Sequence, residues 1–281
     1  MKIGIVGLGL IGGSLALDFK AAGHWVLGIA RRVATCEQAI AHQIVDQAAT
    51  DLKSAAIADV IFICTPIAAI GATLDQLRPY LRSTTVVSDV GSVKGALVAA
   101  ATERWPNFVG GHPMAGKAEA GLDVAEAGLF RDRPYVLTPV SQTPPEAVTQ
   151  LKHLIAEALH ARIYECDPSD HDRAVAWISH LPVMVSSGLI QACLEEPDPA
   201  VLTLAQAIAS SGFCDTSRVG GGAPELGLMM AQFNRLELQR SLYAYRQQVD
   251  ILLQIIDQED WSALGNYLKA SQAARPQFLQ P

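Results

Sequence analysis

Short apolar runs alternate with segments of helical period through the first three-fifths of the chain. The runs 2–7 (KIGIVG), 25–30 (WVLGIA), 59–64 (DVIFIC), 84–90 (TTVVSDV) and 107–111 (NFVGG) are short and rich in β-branched residues. That is the pattern of strands covered on both faces. Alanine-rich stretches of helical period lie between them, as at 11–22 and 68–81. Strand and helix in alternation predict βαβ units and a mainly parallel sheet. Two later strands, 135–139 and 161–166, are expected around a helix starting near Pro145.

The texture changes at Cys166. Strand-like runs stop, and helical patterns cover 169–181, 182–194, 200–211 and 225–256. In the last, Leu226, Met229, Met230, Phe233, Leu236, Leu242 and Tyr245 form an apolar stripe at helical spacing. The expectation is a doubly wound Rossmann-type α/β domain over 1–165, then an all-α domain over 166–281. Helices this long pack on one another or on a second subunit, so the helical half is where a homodimer is expected.

Composition narrows the class. The chain has 281 residues, 50% hydrophobic and 17% charged, with a net charge of -7. No basic patch recommends a nucleic-acid or membrane-surface partner. The five cysteines are scattered and form no CxxC pair. Neither a disulfide framework nor a metal site is expected, and a reducing cytoplasm is the expected compartment. The opening MKIGIVGLGLIGGSLAL mimics a signal peptide, but the glycines at 7, 9, 12 and 13 and the polar Asp18 and Lys20 favour another reading. No uninterrupted apolar run of about 20 residues is read, so no membrane span is expected.

The other reading of that opening is a dinucleotide fingerprint. GLGLIG fits G-x-G-x-x-G directly after a strand and at the start of a helix. Gly7 allows a tight turn, Gly9 lets the backbone approach a pyrophosphate, and Gly12 lets helix pack on strand. The helix N-terminus then faces the phosphates. At the end of the second strand the chain reads GIARR, with no acid for ribose hydroxyls but two arginines suited to a 2′-phosphate. NADP is the expected cofactor. Its candidate contacts are Gly7, Leu8, Gly9, Leu10, Ile11 and Gly12, then Ala30, Arg31, Arg32 and Thr35, then Cys64, Thr65, Pro66, Ser92 and Met114.

Candidate chemistry clusters in GHPMAG (111–116), DVGSVK (89–94), SHLP (179–182) and GFCDTSR (212–218). Loops at the carboxyl ends of strands line the ligand crevice of an open α/β sheet. Ser92 and His112 each follow such a strand, so a serine hydroxyl could orient the imidazole as a proton acceptor. A plain surface-loop histidine is the competing reading of His112. His180 is equally readable as a hydrogen-bonded core histidine, and Arg218 could merely pair with Asp215.

Together these motifs resemble the prephenate/arogenate dehydrogenase family of tyrosine biosynthesis, in particular its cyanobacterial and plant-like arogenate branch. The resemblance spans essentially the whole chain and rests on GHPMAG, DVGSVK, the run 172–182 and DTSR. It implies an N-terminal NAD(P) domain, a helical dimerisation domain, and oxidative decarboxylation of a cyclohexadienol acid. It makes His112 the catalytic base and Ser92 its partner. Arg218 becomes the clamp for a substrate carboxylate, with His180, Gly91 and Lys94 as further substrate contacts. Three departures from the common family pattern stand out: Val183 replaces a histidine, Gly116, Lys117 and Ala118 stand where a GTE run is common, leaving the role of its acid unfilled unless Glu119 substitutes, and Cys214 replaces an arginine. Arogenate is the expected substrate and prephenate the alternative. A β-hydroxyacid dehydrogenase needs a lysine in its helical half, and none lies between Cys166 and Leu268. A non-catalytic NADP sensor is the remaining alternative.

Overall fold

The computed structural model describes residues 1–117 and 119–279. Eight strands form one sheet: β1 (Lys2–Val6), β2 (Trp25–Ile29), β3 (Gln47–Ala49), β4 (Val60–Ile63), β5 (Val86–Asp89), β6 (Phe108–Pro113), β7 (Pro134–Thr138) and β8 (Arg162–Glu165). Their order is β3-β2-β1-β4-β5-β6-β7-β8, parallel except where β7 runs antiparallel to β6. The order reverses between β1 and β4, the place where a doubly wound sheet opens a crevice for ligands.

The helices are α1 (Leu10–Ala21), α2 (Val33–Ala41), α3 (Ile67–Leu77), α4 (Gly95–Arg104), α5 (Pro145–Leu159), α6 (Pro168–Val175), α7 (Leu181–Leu194), α8 (Pro199–Ile208), α9 (Ser211–Ser217), α10 (Pro224–Phe233), α11 (Arg235–Asp257) and α12 (Trp261–Ala274). The sheet is buried on both faces. Ile3, Ile5, Phe62 and Val109 enter one core with Phe19 of α1 and Leu151 of α5. Ile61, Ile63 and Val87 enter the other with Ile70, Leu74 and Val98 of α3 and α4. Continuous apolar strands are what two covered faces require. The α/β domain followed by a helical half is the architecture expected from the sequence.

Several boundaries differ from the sequence expectation. The short strand β3 carries no strong apolar signal and went unread. The 225–256 pattern is two helices, because Asn234 leaves helical geometry at φ -120° and ψ 36°. Its side-chain amide donates to the Asp172 carbonyl at 2.7 Å. Between α6 and α7 the chain makes a wide π-type turn, Ala176–His180. Pro168–Leu194 is therefore one helical run of 27 residues, long and apolar enough by composition to cross a membrane. That corrects the expectation that no such run exists; the sequence reading had split it at Pro182.

The chain forms two compact units, Met1–Val175 with Gly221–Asn234, and Ala176–Gly220 with the residues from Arg235 on. The first unit thus reaches past residue 165. It takes in α6 because Asp172 bonds the start of α4, and α10 because Asn234 bonds Asp172.

Candidate active site

A groove of about 1490 Å³ lies at the carboxyl ends of β1, β2 and β4. Gly7, Leu8, Gly9, Ala30, Arg31, Arg32, Thr35, Cys64, Thr65 and Pro66 line it, all of them candidates from the sequence. Gly7 has φ +104°, and a Cβ there would fall 2.6 Å from the Cys64 carbonyl oxygen. A Cβ on Gly9 would meet nothing within 4 Å, so this backbone faces open space. A Cβ on Gly12 would fall 2.0 Å from the Gly7 carbonyl oxygen, which makes Gly12 a spacer between helix and strand. Leu10, Ile11 and Gly12 lie in the first turn of α1 and are absent from the groove lining.

The residues present fit a dinucleotide. The first turn of α1 has no side-chain cap and no acidic residue, so its N–H groups remain available to a phosphate. Thr65 Oγ1 is buried with no hydrogen-bond partner among the described residues, and Thr65 lines the groove. At the far end Arg31 and Arg32 are exposed and make no ion pair among the described residues. Asp51 is the one acid in the lining. Its carboxylate accepts the Lys53 backbone N–H and pairs with the Lys53 ammonium at 3.0 Å, both of which lower its pKa.

His112 is on a strand and not in a loop, contrary to the sequence reading. It is the penultimate residue of β6 and pairs with Val136 of β7. The glycines before it serve packing. A Cβ on Gly111 would fall 2.7 Å from the Asp89 carbonyl oxygen, and one on Gly110 would fall 2.4 Å from Thr138 Oγ1. His112 itself is half-buried. Its Nδ1 lies 2.8 Å from His171 Nε2, with the rings 5.0 Å apart and steeply inclined. His171 is buried, and its Nδ1 lies 2.8 Å from Asp172 Oδ1. Asp172 also accepts the backbone N–H of Lys94 at 2.7 Å and of Gly95 at 2.8 Å.

Lys94, expected to reach substrate, is instead fully buried. Its ammonium pairs with Asp89 and donates to the Gly111 carbonyl at 2.7 Å. Burial pushes its pKa down, and the Asp89 charge opposes that. A side chain with no exposed surface and both partners inside the sheet supports the site from behind. Asp89 also accepts the N–H of Gly91 at 2.8 Å, which occupies the one donor Gly91 could offer a ligand.

Ser92 is half-buried in the connection from β5 to α4, at the same edge of the sheet as His112. The sequence reading gave Ser92 the task of orienting the imidazole. In the structure His171 occupies Nδ1. Met114 lines a smaller cleft of about 490 Å³ with Lys117, Arg131 and Arg133, and none of these is among the residues lining the dinucleotide groove. There Lys117 pairs with Glu126. Ala118 lies outside the described residues, and Glu119 is exposed.

Two candidates belong to the second unit. His180 is buried at the end of the π-type turn. Arg218 is exposed where α9 passes into the turn Arg218–Gly221. Val183 is half-buried in α7. In the same unit, Gly220 packs so closely on Ser186 that its N–H donates to Ser186 Oγ at 2.8 Å.

The sequence reading missed His171. A signal was present: His171 directly precedes the Asp172 that opens the 172–182 run, and a helix places both at one strand edge.

Comparison with known proteins gives one consistent result. Residues 15–165 match the family described as prephenate dehydrogenase, nucleotide-binding domain, and residues 167–270 match its dimerization domain. The chain is 51% identical to the crystal structure of Synechocystis arogenate dehydrogenase, with a TM-score of 0.91 over 99% of this chain and 100% of that one. It is 30% identical to a prephenate dehydrogenase of Bacillus subtilis, over 96% of this chain and 74% of the relative. It is also 30% identical to a cyclohexadienyl dehydrogenase of Zymomonas mobilis, over 97% of this chain and 94% of the relative. The glycine fingerprint, the His112 strand and the helical half thus belong together: the chain is a member of the prephenate/arogenate dehydrogenase family.

Proposed function

We propose that this dehydrogenase oxidises and decarboxylates arogenate, yielding tyrosine, with NADP as its cofactor and His112 as the base. The observation that carries the reading is His112 itself, half-buried at the carboxyl end of β6 with one ring nitrogen held by His171. Such a ring is oriented, and Nε2 is the nitrogen that this reading assigns to the substrate proton. The 51% identity to a protein described as an arogenate dehydrogenase favours arogenate. Prephenate, which differs by a keto group in place of the ammonium, is the second reading, favoured by the family description and the Bacillus subtilis relative.

NADP is favoured by charge. Arg31 and Arg32 end the groove where the 2′-phosphate would lie, and the one acid in the lining, Asp51, is neutralised by Lys53. Gly7, Gly9 and the first turn of α1 would hold the pyrophosphate, with Thr65 as a hydroxyl partner nearby. When bound, the oxidised nicotinamide supplies the acceptor for the hydride leaving the ring carbon. His112 removes the hydroxyl proton of that carbon through Nε2. Ser92, at the neighbouring strand end, assists at the same hydroxyl. From the family resemblance we assign Arg218 to a substrate carboxylate, through a charge-assisted bond, and His180 to a further substrate contact. Loss of CO2 needs no further group, because aromatisation drives it.

A homodimer formed through the helical unit fits the exposed apolar surface there. Ile208 is 68% exposed and Leu236 is 70% exposed. Scattered unpaired cysteines fit a reducing cytoplasm. The test is a steady-state assay of all four pairings of arogenate or prephenate with NADP or NAD. Higher kcat/KM for arogenate with NADP supports the reading, and a preference for prephenate or NAD refutes the corresponding half.

A further inference from the structure

The chain His112–His171–Asp172 has a direction, and that direction can be read from its far end. Asp172 receives two backbone N–H groups, from Lys94 on Oδ1 and from Gly95 on Oδ2. Both belong to the start of α4, where the helix dipole favours an anion. A carboxylate that accepts on both oxygens has no proton to give, so the bond between Asp172 Oδ1 and His171 Nδ1 must be donated by the ring. A neutral His171 then has no proton on Nε2. The facing atom, His112 Nδ1, must carry the proton across the 2.8 Å contact. Nε2 is then the His112 nitrogen that carries no proton.

We propose that His171 and Asp172 are positioning residues that hold His112 in the Nδ1–H tautomer and so present Nε2 to the substrate hydroxyl. This deepens the proposed function and rests on His112 being the base. In the proton step the substrate O–H bond breaks and an Nε2–H bond forms on His112. The Nδ1–H stays in place, now donated by an imidazolium to His171, with the Asp172 charge behind it. The Lys94 ammonium pairs with Asp89, while Asp172 is held at the far end of the chain by the two N–H groups of α4. A Cβ on Gly95 would fall 2.9 Å from Asp172 Oδ2, so a larger residue there would push on the carboxylate.

The test is the tautomer itself, read from ¹⁵N-histidine spectra of the full-length protein above pH 7.5, with His112 assigned by its loss in His112→Asn. The expected result is a protonated Nδ1 and a bare Nε2 on His112. A protonated Nε2 in the unmutated protein would overturn the proposal. Asp172→Asn gives a second arm. Its amide can donate to His171 Nδ1 and reverse the chain, so kcat should fall about 10²–10⁴-fold with the KM for NADP little changed. An unchanged kcat in a folded Asp172→Asn would also overturn the proposal. Should that variant fail to fold, the spectrum of the unmutated protein still decides. Failure here is distinct from failure of the base assignment: the latter would show as near-normal turnover in His112→Asn, whatever the tautomer.

Discussion

The Lys94 ammonium donates to the Gly111 carbonyl at 2.7 Å, one residue before His112, while pairing with Asp89 at the end of the adjacent strand. The strand carrying the proposed base is therefore pinned from inside the sheet. Asp89 fastens it a second time by accepting the Gly111 N–H at 3.2 Å.

Lys94→Met should leave the Asp89 carboxylate buried without its cation. Breaking one side of a fully buried pair costs about 3–5 kcal/mol. Urea unfolding should show that loss at pH 7, and Asp89→Asn added to Lys94→Met should recover part of it. A single variant as stable as the unmutated protein would contradict the role assigned to the pair.

Arg31→Ala should raise the KM for NADP at least about tenfold, since a charge-assisted bond is worth roughly 1.5–3 kcal/mol and 1.4 kcal/mol is about tenfold. The KM for NAD should barely move. Steady-state kinetics with both cofactors checks this, and equal sensitivity of the two would refute a phosphate contact.

Asp59 ties the start of β1 to the sheet. It accepts the Lys2 N–H at 2.8 Å and pairs with Arg82 at 2.8 Å, and these hold its pKa below the ordinary aspartate value. A carboxylate with a lowered folded pKa adds stability above its unfolded value and loses it as the pH falls through the folded one. The unmutated protein should therefore lose more stability than Asp59→Asn on going from about pH 5 to 3. The carboxylate is 38% exposed, so solvent keeps the difference small. Urea midpoints at the two pH values measure it.

The dinucleotide half was legible because its signals are local. GLGLIG sits between an apolar strand and a helix, and each glycine has a steric reason that survives in the structure. The His112 strand was harder, because the glycines of GGHP look like a turn until Asp89, Ser88 and Thr138 are seen crowding them. Lys94 was misassigned for a related reason. A lysine after a strand end looks like a ligand contact, and only the buried Asp89 reveals otherwise. The His171–Asp172 support leaves only the adjacency of His171 to the 172–182 run as a signal, since it bridges positions 59 residues apart and its ring-to-ring contact leaves no period in the sequence. The break at Asn234 also depends on a distant partner, the Asp172 carbonyl.

The most direct test of the account is the pH dependence of kcat/KM in the unmutated protein beside His112→Asn. The unmutated enzyme should lose activity toward acid as the base takes up a proton. His112→Asn should lose that ionisation and about 10²–10⁴-fold in kcat, while still binding NADPH as judged by its fluorescence. Near-normal turnover in His112→Asn, with the acid limb intact, would contradict the assignment of His112 as the base.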